Sequence, residues 1–226
     1  MRFQDAARDG RAIVYEAIQA DPLVDRAATL LADATLDELV LARAAMNGES
    51  IEPGSWRTMF PTLFGPAVPP DHPARQRSEA ILAMALDVAA RGDEARSQVR
   101  GAIVEALAER LVALRTGPVR RERRILFDGV RSEIHPYDVT VERPGAAEAW
   151  DCKWGARGIG ADVLHQLDDA RANAVVEEER LLVGLVVFDA RRSCRVRLAR
   201  VGGTTTGIRL VALETLGALA GRKPAS

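Results

Sequence analysis

Polar and apolar side chains alternate through Tyr137-Asp138-Val139-Thr140-Val141-Glu142, and again through Trp150-Asp151-Cys152-Lys153-Trp154. A period of two marks a strand with one buried face. It sets Asp138, Thr140 and Glu142 on one side of the first strand, opposite Tyr137, Val139 and Val141. In the second strand Asp151 and Lys153 share a side, opposite Trp150, Cys152 and Trp154. Arg143-Pro144-Gly145-Ala146-Ala147, between the two, is a turn-forming segment short enough for an antiparallel hairpin. That pairing predicts Asp138 close to Asp151.

Around this hairpin the periodicity changes. Val99, Ile103, Leu107, Leu111 and Leu114 recur at helical spacing, predicting a helix from about Glu94 to Arg115 that Gly117-Pro118 ends. A strand through Arg123-Ile125-Phe127 follows, then the two hairpin strands, a helix near Ala161–Val176 and a continuous apolar strand Leu181–Phe188. Short runs at Arg195–Ala199 and Ile208–Leu213 predict one or two edge strands, and Glu214–Leu219 a terminal helix. Upstream, segments near residues 11–20, 24–33 and 35–47 predict small packed helices. Thr35-Leu36-Asp37-Glu38 has the form of a capping box opening the third. The prolines and glycines from Ile51 to His72 predict a loop, with Trp56, Phe60 and Phe64 pinning it to the body, and a further helix runs from about Gln76 to Ala90. The expected class is α/β: an α-β-β-β-α-β core with a mixed sheet over residues 94–226, preceded by an all-helical region over residues 1–93.

Composition permits this without deciding it. A chain of 226 residues with 47% apolar content can bury a sizeable core. Its longest apolar run, Leu181–Phe188, is too short to span a membrane, and Met1-Arg2-Phe3-Gln4-Asp5 lacks the apolar core of a secretion signal. A cytoplasmic protein with no membrane partner is the expectation, with Cys152 and Cys194 as reduced, buried thiols. Charge is uneven along the chain. Residues 1–96 hold 10 basic and 15 acidic side chains, and residues 97–226 hold 21 and 17. The basic excess is arginine: Arg120, Arg121, Arg123 and Arg124, then Arg191, Arg192, Arg195, Arg197 and Arg200. Such clusters suit a phosphate backbone, and equally a solvated strand face paired with Glu122 and Glu177–Glu179.

Two carboxylates converging from Asp138 and Asp151 make a hard oxygen site, suited to Mg²⁺ or Mn²⁺. Lys153 beside them can orient or help deprotonate an attacking water, and can offset charge building on a phosphate. Zinc is disfavoured, because His135, His165, Cys152 and Cys194 include no Cys-x-x-Cys and no close His pair. Gly155-Ala156-Arg157-Gly158-Ile159-Gly160 outlines a phosphate-binding loop but lacks its lysine. It reads as a link beside the site, with Arg157 free to reach phosphate.

An acid on the second strand and Asp-x-Lys on the third, in that succession of elements, resembles the PD-(D/E)xK nuclease superfamily, with its restriction-endonuclease-like fold. The resemblance covers roughly residues 94 to 226. It implies Mg²⁺ held by Asp138, Asp151 and the carbonyl of Cys152, with Lys153 serving the water. It also implies a further carboxylate from the preceding helix, where Glu105 stands, and a glutamine on the following helix, where Gln166 stands. Pro136 lies two residues before Asp138, not adjacent to it, and position 170 is Ala, so the RecB-like subgroup is not assigned. The implied activity is metal-dependent hydrolysis of phosphodiester bonds in nucleic acid, DNA above RNA and endonucleolytic, in restriction, defence or repair. A two-fold homodimer would suit cutting of both strands. The alternative is a non-catalytic nucleic-acid-binding or assembly subunit that docks a protein partner through the acidic helical region.

Overall fold

The computed structural model describes residues 1–6, 10–115, 117–128, 130–131, 135–143, 145–202 and 206–222. The chain divides into two compact units, residues 10–107 and residues 1–9 with 108–226. The expected boundary at 93/94 falls instead at 107/108, inside one helix. The reason is that the first part of that helix bonds within the helical unit: Arg100 donates to Asn47 at 2.7 Å and Gln19 donates to Glu105 at 2.8 Å.

The helical unit contains α1 (Gly10–Gln19), α2 (Pro22–Ala32), α3 (Leu36–Asn47), α4 (Pro53–Met59), α5 (Pro61–Phe64) and α6 (Pro73–Ala89). It also holds most of α7 (Asp93–Ala113). The segment expected as a loop carries two short helices. Pro53 and Pro61 each stand in the first turn, where a missing N–H costs nothing. Trp56 and Phe64 are buried there. The capping box forms as expected: Thr35 Oγ1 accepts the Glu38 N–H, and Glu38 Oε2 accepts the Thr35 N–H at 2.8 Å. Glu38 is itself buried, and it also accepts from Arg77 Nε at 3.0 Å and Ser78 Oγ at 2.9 Å. Burial alone would raise its pKa, but Arg77, Thr35 and Ser78 outweigh that and hold it below the ordinary glutamate value.

The other unit is built on a mixed, open sheet. Its strands are β1 (Arg2–Asp5), β2 (Val119–Phe127), β3 (Val130–Arg131), β4 (Tyr137–Val141), β5 (Ala147–Lys153), β6 (Leu181–Val187) and β7 (Ile208–Val211). The spatial order is β1-β2-β4-β5-β6-β7, with β3 paired to β2. Pairs from β1 to β5 are antiparallel, and β5-β6 and β6-β7 are parallel. Parallel neighbours require crossovers. These are α8 (Ala161–Val176) between β5 and β6, and α9 (Arg191–Val201) between β6 and β7. The expectation of an all-helical start is corrected by β1, which pairs with β2 from Arg2↔Leu126 to Asp5↔Arg123.

Two further expectations change. Arg195–Ala199 belongs to α9 and not to an edge strand. Cys194, Leu198 and Val201 recur at helical spacing and pack into the core, and Gly202 ends the helix at φ 72°. The terminal helix expected at Glu214–Leu219 is present as a 3-10 helix over Leu213–Ala220. The core beneath α8 joins Val163, Leu164, Leu167, Ala170 and Ala174 to Ala149, Val183, Leu185 and Val187 of the sheet. Tyr137 leaves its expected side and joins this cluster, its hydroxyl donating to the Gln166 carbonyl at 3.4 Å. Pro144 of the expected turn lies outside the described residues.

Gly184 is required by its neighbour on β5. A Cβ there would stand 2.3 Å from Trp150 Cζ3 and 3.0 Å from the Arg209 carbonyl oxygen. Gly184→Ala is therefore expected to destabilise the protein by about 2 kcal/mol through overpacking, read as a lowered urea midpoint; an unchanged midpoint would show that the indole does not lie there. Glu38→Gln is expected to cost about 3 kcal/mol at neutral pH. The depressed Glu38 pKa means its contribution is present above the ordinary glutamate value and lost as pH falls through the folded one. The gap between thermal melts of the two proteins should narrow as pH falls below the ordinary glutamate value, and a gap that does not change with pH would contradict this assignment.

Candidate functional site

The β4–β5 ladder runs from Val141↔Glu148 to Val139↔Trp150. One further step of this register sets Asp138 opposite Asp151. There the ladder is closed by a side chain: Asp138 Oδ2 accepts the Cys152 N–H at 2.5 Å. A backbone donor at the open end of a hairpin needs a partner, and the carboxylate supplies it. A second irregularity lies one strand away. Arg121 pairs with Val139 and Arg123 with Tyr137, while Glu122 between them takes φ 51°, a left-handed conformation that interrupts regular pairing.

Asp151 lies on the face of β5 that carries Ala149, with Leu185 of β6 as its parallel partner. It is 6% exposed. Its Oδ1 is buried and engaged by Lys153 Nζ, in an ion pair that meets its charge. Burial pushes the Asp151 carboxyl pKa upward, against the opposing pull of Lys153 and His135, while Asp162 adds to the rise. Burial would also strip the Lys153 ammonium of its proton, but Asp151 and Asp138 together hold it protonated above the ordinary lysine range. The residue after the next turn fixes the lysine stem. A Cβ on Gly158 would meet Lys153 Cδ at 3.1 Å and Cβ at 3.2 Å, so the 3-10 turn Ala156–Gly158 lies directly on those methylenes.

Gln166, expected on the helix after the lysine strand, is buried on α8. Its amide makes a two-pronged bond to one peptide unit: Nε2 donates to the His135 carbonyl at 3.0 Å, and Oε1 accepts the His135 N–H at 3.1 Å. Gln166 therefore holds the entry to β4, three residues before Asp138, and acts as a positioning residue. Glu105 belongs to the helical unit, where it accepts from Tyr15 Oη at 2.5 Å and Gln19 Nε2 at 2.8 Å. Asp138, Asp151, Lys153 and the Cys152 backbone are thus brought together, with Gln166 behind them. Among the described residues, no three His, Cys, Asp or Glu side chains gather as a metal-holding group.

Two acids escaped sequence reasoning. Asp162, in the first turn of α8, acts electrostatically on Asp151. Asp189, just past β6, binds the Ala156 N–H at 3.0 Å through Oδ2 and the Ala190 N–H at 2.8 Å through Oδ1. It secures the turn that covers Lys153. Its position just after the apolar run Leu181–Phe188, five residues ahead of Cys194, was the only available signal, and a lone acid after an apolar strand carries little. Glu148 was passed over also: it lies on the opposite face, bound by Arg115 at 2.7 Å and by the Trp150 indole N–H at 3.1 Å.

The donor set fits a hard divalent cation. The buried Asp151 carboxylate, set opposite Asp138 by the β4–β5 register, supplies oxygen donors of the hard kind, with Lys153 as its present counter-charge. No family model matches the chain, and no curated protein and no solved structure is found similar to it.

The upward shift of Asp151 has a consequence for cation uptake. Binding requires the ionised carboxylate, so Mn²⁺ affinity is expected to rise with pH above the ordinary aspartate value and to expel a proton. Calorimetry in buffers of different ionisation enthalpy reads that proton. Equal heats in all buffers, or equal affinity for Asp151→Asn, would remove Asp151 from the centre.

Proposed function

We propose that the protein is a Mg²⁺-dependent nuclease that hydrolyses phosphodiester bonds in DNA, on a restriction-endonuclease-like core of the PD-(D/E)xK kind. The observation that carries this reading is the convergence of Asp138, Asp151 and Lys153 at the parted end of one hairpin. Asp138 and Asp151 are the residues that would hold the cation. The Cys152 carbonyl is their companion, because N–H and C=O of a strand residue leave toward the same neighbour, and the Cys152 N–H points to Asp138. Bound there, Mg²⁺ would polarise a phosphoryl oxygen and lower the pKa of a water.

The chain's own groups supply the rest. Lys153, held protonated by two carboxylates, is suited to orient a water by donating to it and to offset charge on the pentavalent phosphorus. It is poorly suited to remove a proton. The turn Ala156–Gly158, stapled by Asp189, limits the rotamers open to Lys153 and so pre-organises the ammonium. Gln166 sets the approach of β4, and with it Asp138. Glu105, the remaining acid that the family resemblance implies, is engaged by Tyr15 and Gln19 within the helical unit.

A second reading has its own observation. Lys153 already neutralises Asp151, so the trio is self-satisfied as an ion pair and needs no cation to be stable. On that reading the fold binds nucleic acid or assembles with a partner, without cutting.

Purified protein incubated with plasmid and Mg²⁺ decides between them. Cleavage is expected, with Lys153→Met and Asp151→Asn each reducing the rate at least about 100-fold. Circular dichroism should show both variants folded. Absence of metal-stimulated cleavage by the unmodified protein, or full activity in both variants, would refute the nuclease assignment.

A further inference from the structure

The two arginine clusters along the chain have different fates. In β2, Arg121 is paired with Glu109 at 2.6 Å, and Arg123 with Glu142 at 2.7 Å and with Asp5. These two charges are met by acids of the same unit, on α7, on β1 and just after β4. The cluster on α9 is not. That helix carries Arg191, Arg192, Arg195, Arg197 and Arg200 and no acid. Together with the turn Ala156–Gly158 it bounds a cavity of about 560 Å³ lined by Arg157, Arg192, Ser193, Val196, Arg197 and Arg200. Among the described residues none of those four arginines has an ion-pair partner. Arg197 is aimed by its Nε, which donates to the Ile159 carbonyl at 2.9 Å. Neighbouring acids are spent on backbone: Asp189 on Ala156 and Ala190, and Glu214 on the Arg191 N–H at 2.9 Å.

We infer that this cleft is a duplex-DNA backbone track that leads away from Lys153, an assignment that rests on the nuclease reading for its relation to the cleaved bond. Its wall is the same turn that lies on the Lys153 stem, so a strand held at Lys153 would continue between Arg157 and α9. Arg192 and Arg200 are eight residues apart on one helix, about 12 Å along its axis. That is the rise of three to four nucleotides at about 3.4 Å each. One phosphate could not engage both, whereas a polymer can. No aromatic side chain lines the cleft, so unpaired bases find nothing to stack on, which favours duplex over single strand. Contacts of guanidinium to phosphate carry no base information, so the track adds affinity independent of sequence.

The test is binding of a fluorescent DNA duplex in EDTA, followed by anisotropy between about 50 and about 200 mM salt. Arg157, Arg192 and Arg200 are exposed, so the triple variant R157Q/R192Q/R200Q should fold. Its plot of log affinity against log salt is expected to be shallower by roughly 2 to 3, about one per lost phosphate contact. Arg57→Gln, in the helical unit, should keep the original slope. An unchanged slope in the triple variant, no duplex binding by the unmodified protein, tighter binding of single strands or duplex RNA, or displacement of the duplex by millimolar inorganic phosphate would each overturn the inference. Parallel incubation with Mg²⁺ separates the two ideas: a lowered slope without cleavage leaves the track standing and removes the nuclease.

Discussion

Closure of the β4–β5 hairpin by the Asp138 carboxylate, in place of the next rung of its ladder, is the constraint on which the site depends. A regular ladder would have turned the Cys152 N–H to a backbone carbonyl and left Asp138 free to swing away. With the carboxylate in that role, Asp138 is held by a main-chain donor at the position opposite Asp151. The same contact explains the register: sliding β4 by one residue would reverse its faces and bring Val139 into that place. Gln166 and Asp189 then act on either side, one on the His135 peptide that enters β4 and one on the turn that leaves β5.

Electrostatically, the unit separates satisfied from unsatisfied charge. Arg115 with Glu148, Arg121 with Glu109 and Arg123 with Glu142 are closed pairs that tie strands and helix ends together. Lys153 and Asp151 are closed also, but in a setting where burial raises the carboxyl pKa, so the pair is held under an opposing desolvation cost. The arginines of α9 have no such internal partner and stand at the rim of the same region.

Much of this was legible as pattern. Alternation in 137–142 and 150–154 identified both strands, and the apolar run at 181–188 identified β6. Thr35-x-x-Glu38 announced its capping box, and Gln166 was singled out by its place on the helix after Lys153. The strand expected at Arg195–Ala199 failed because five arginines obscure a three-residue core stripe of Cys194, Leu198 and Val201. The loop expected at 51–72 failed because proline breaks a helix interior yet begins one well, at Pro53 and Pro61. β1 was missed because four mostly exposed residues at a sheet edge carry almost no periodicity.

By itself the sequence determined which residues could share a face, since side-chain period follows from local backbone geometry alone. Hence Asp138 and Asp151 were recognisable as candidates, with Lys153 beside the second. Only tertiary structure decided that Asp138 accepts a main-chain bond, that Gln166 grips the His135 peptide, that Glu105 bonds to Tyr15 and Gln19, and that Arg121 and Arg123 meet acids while Arg157, Arg192, Arg197 and Arg200 line a cleft. Each of those facts depends on partners far apart in the chain, and no local rule of spacing records which distant donor will meet which acceptor.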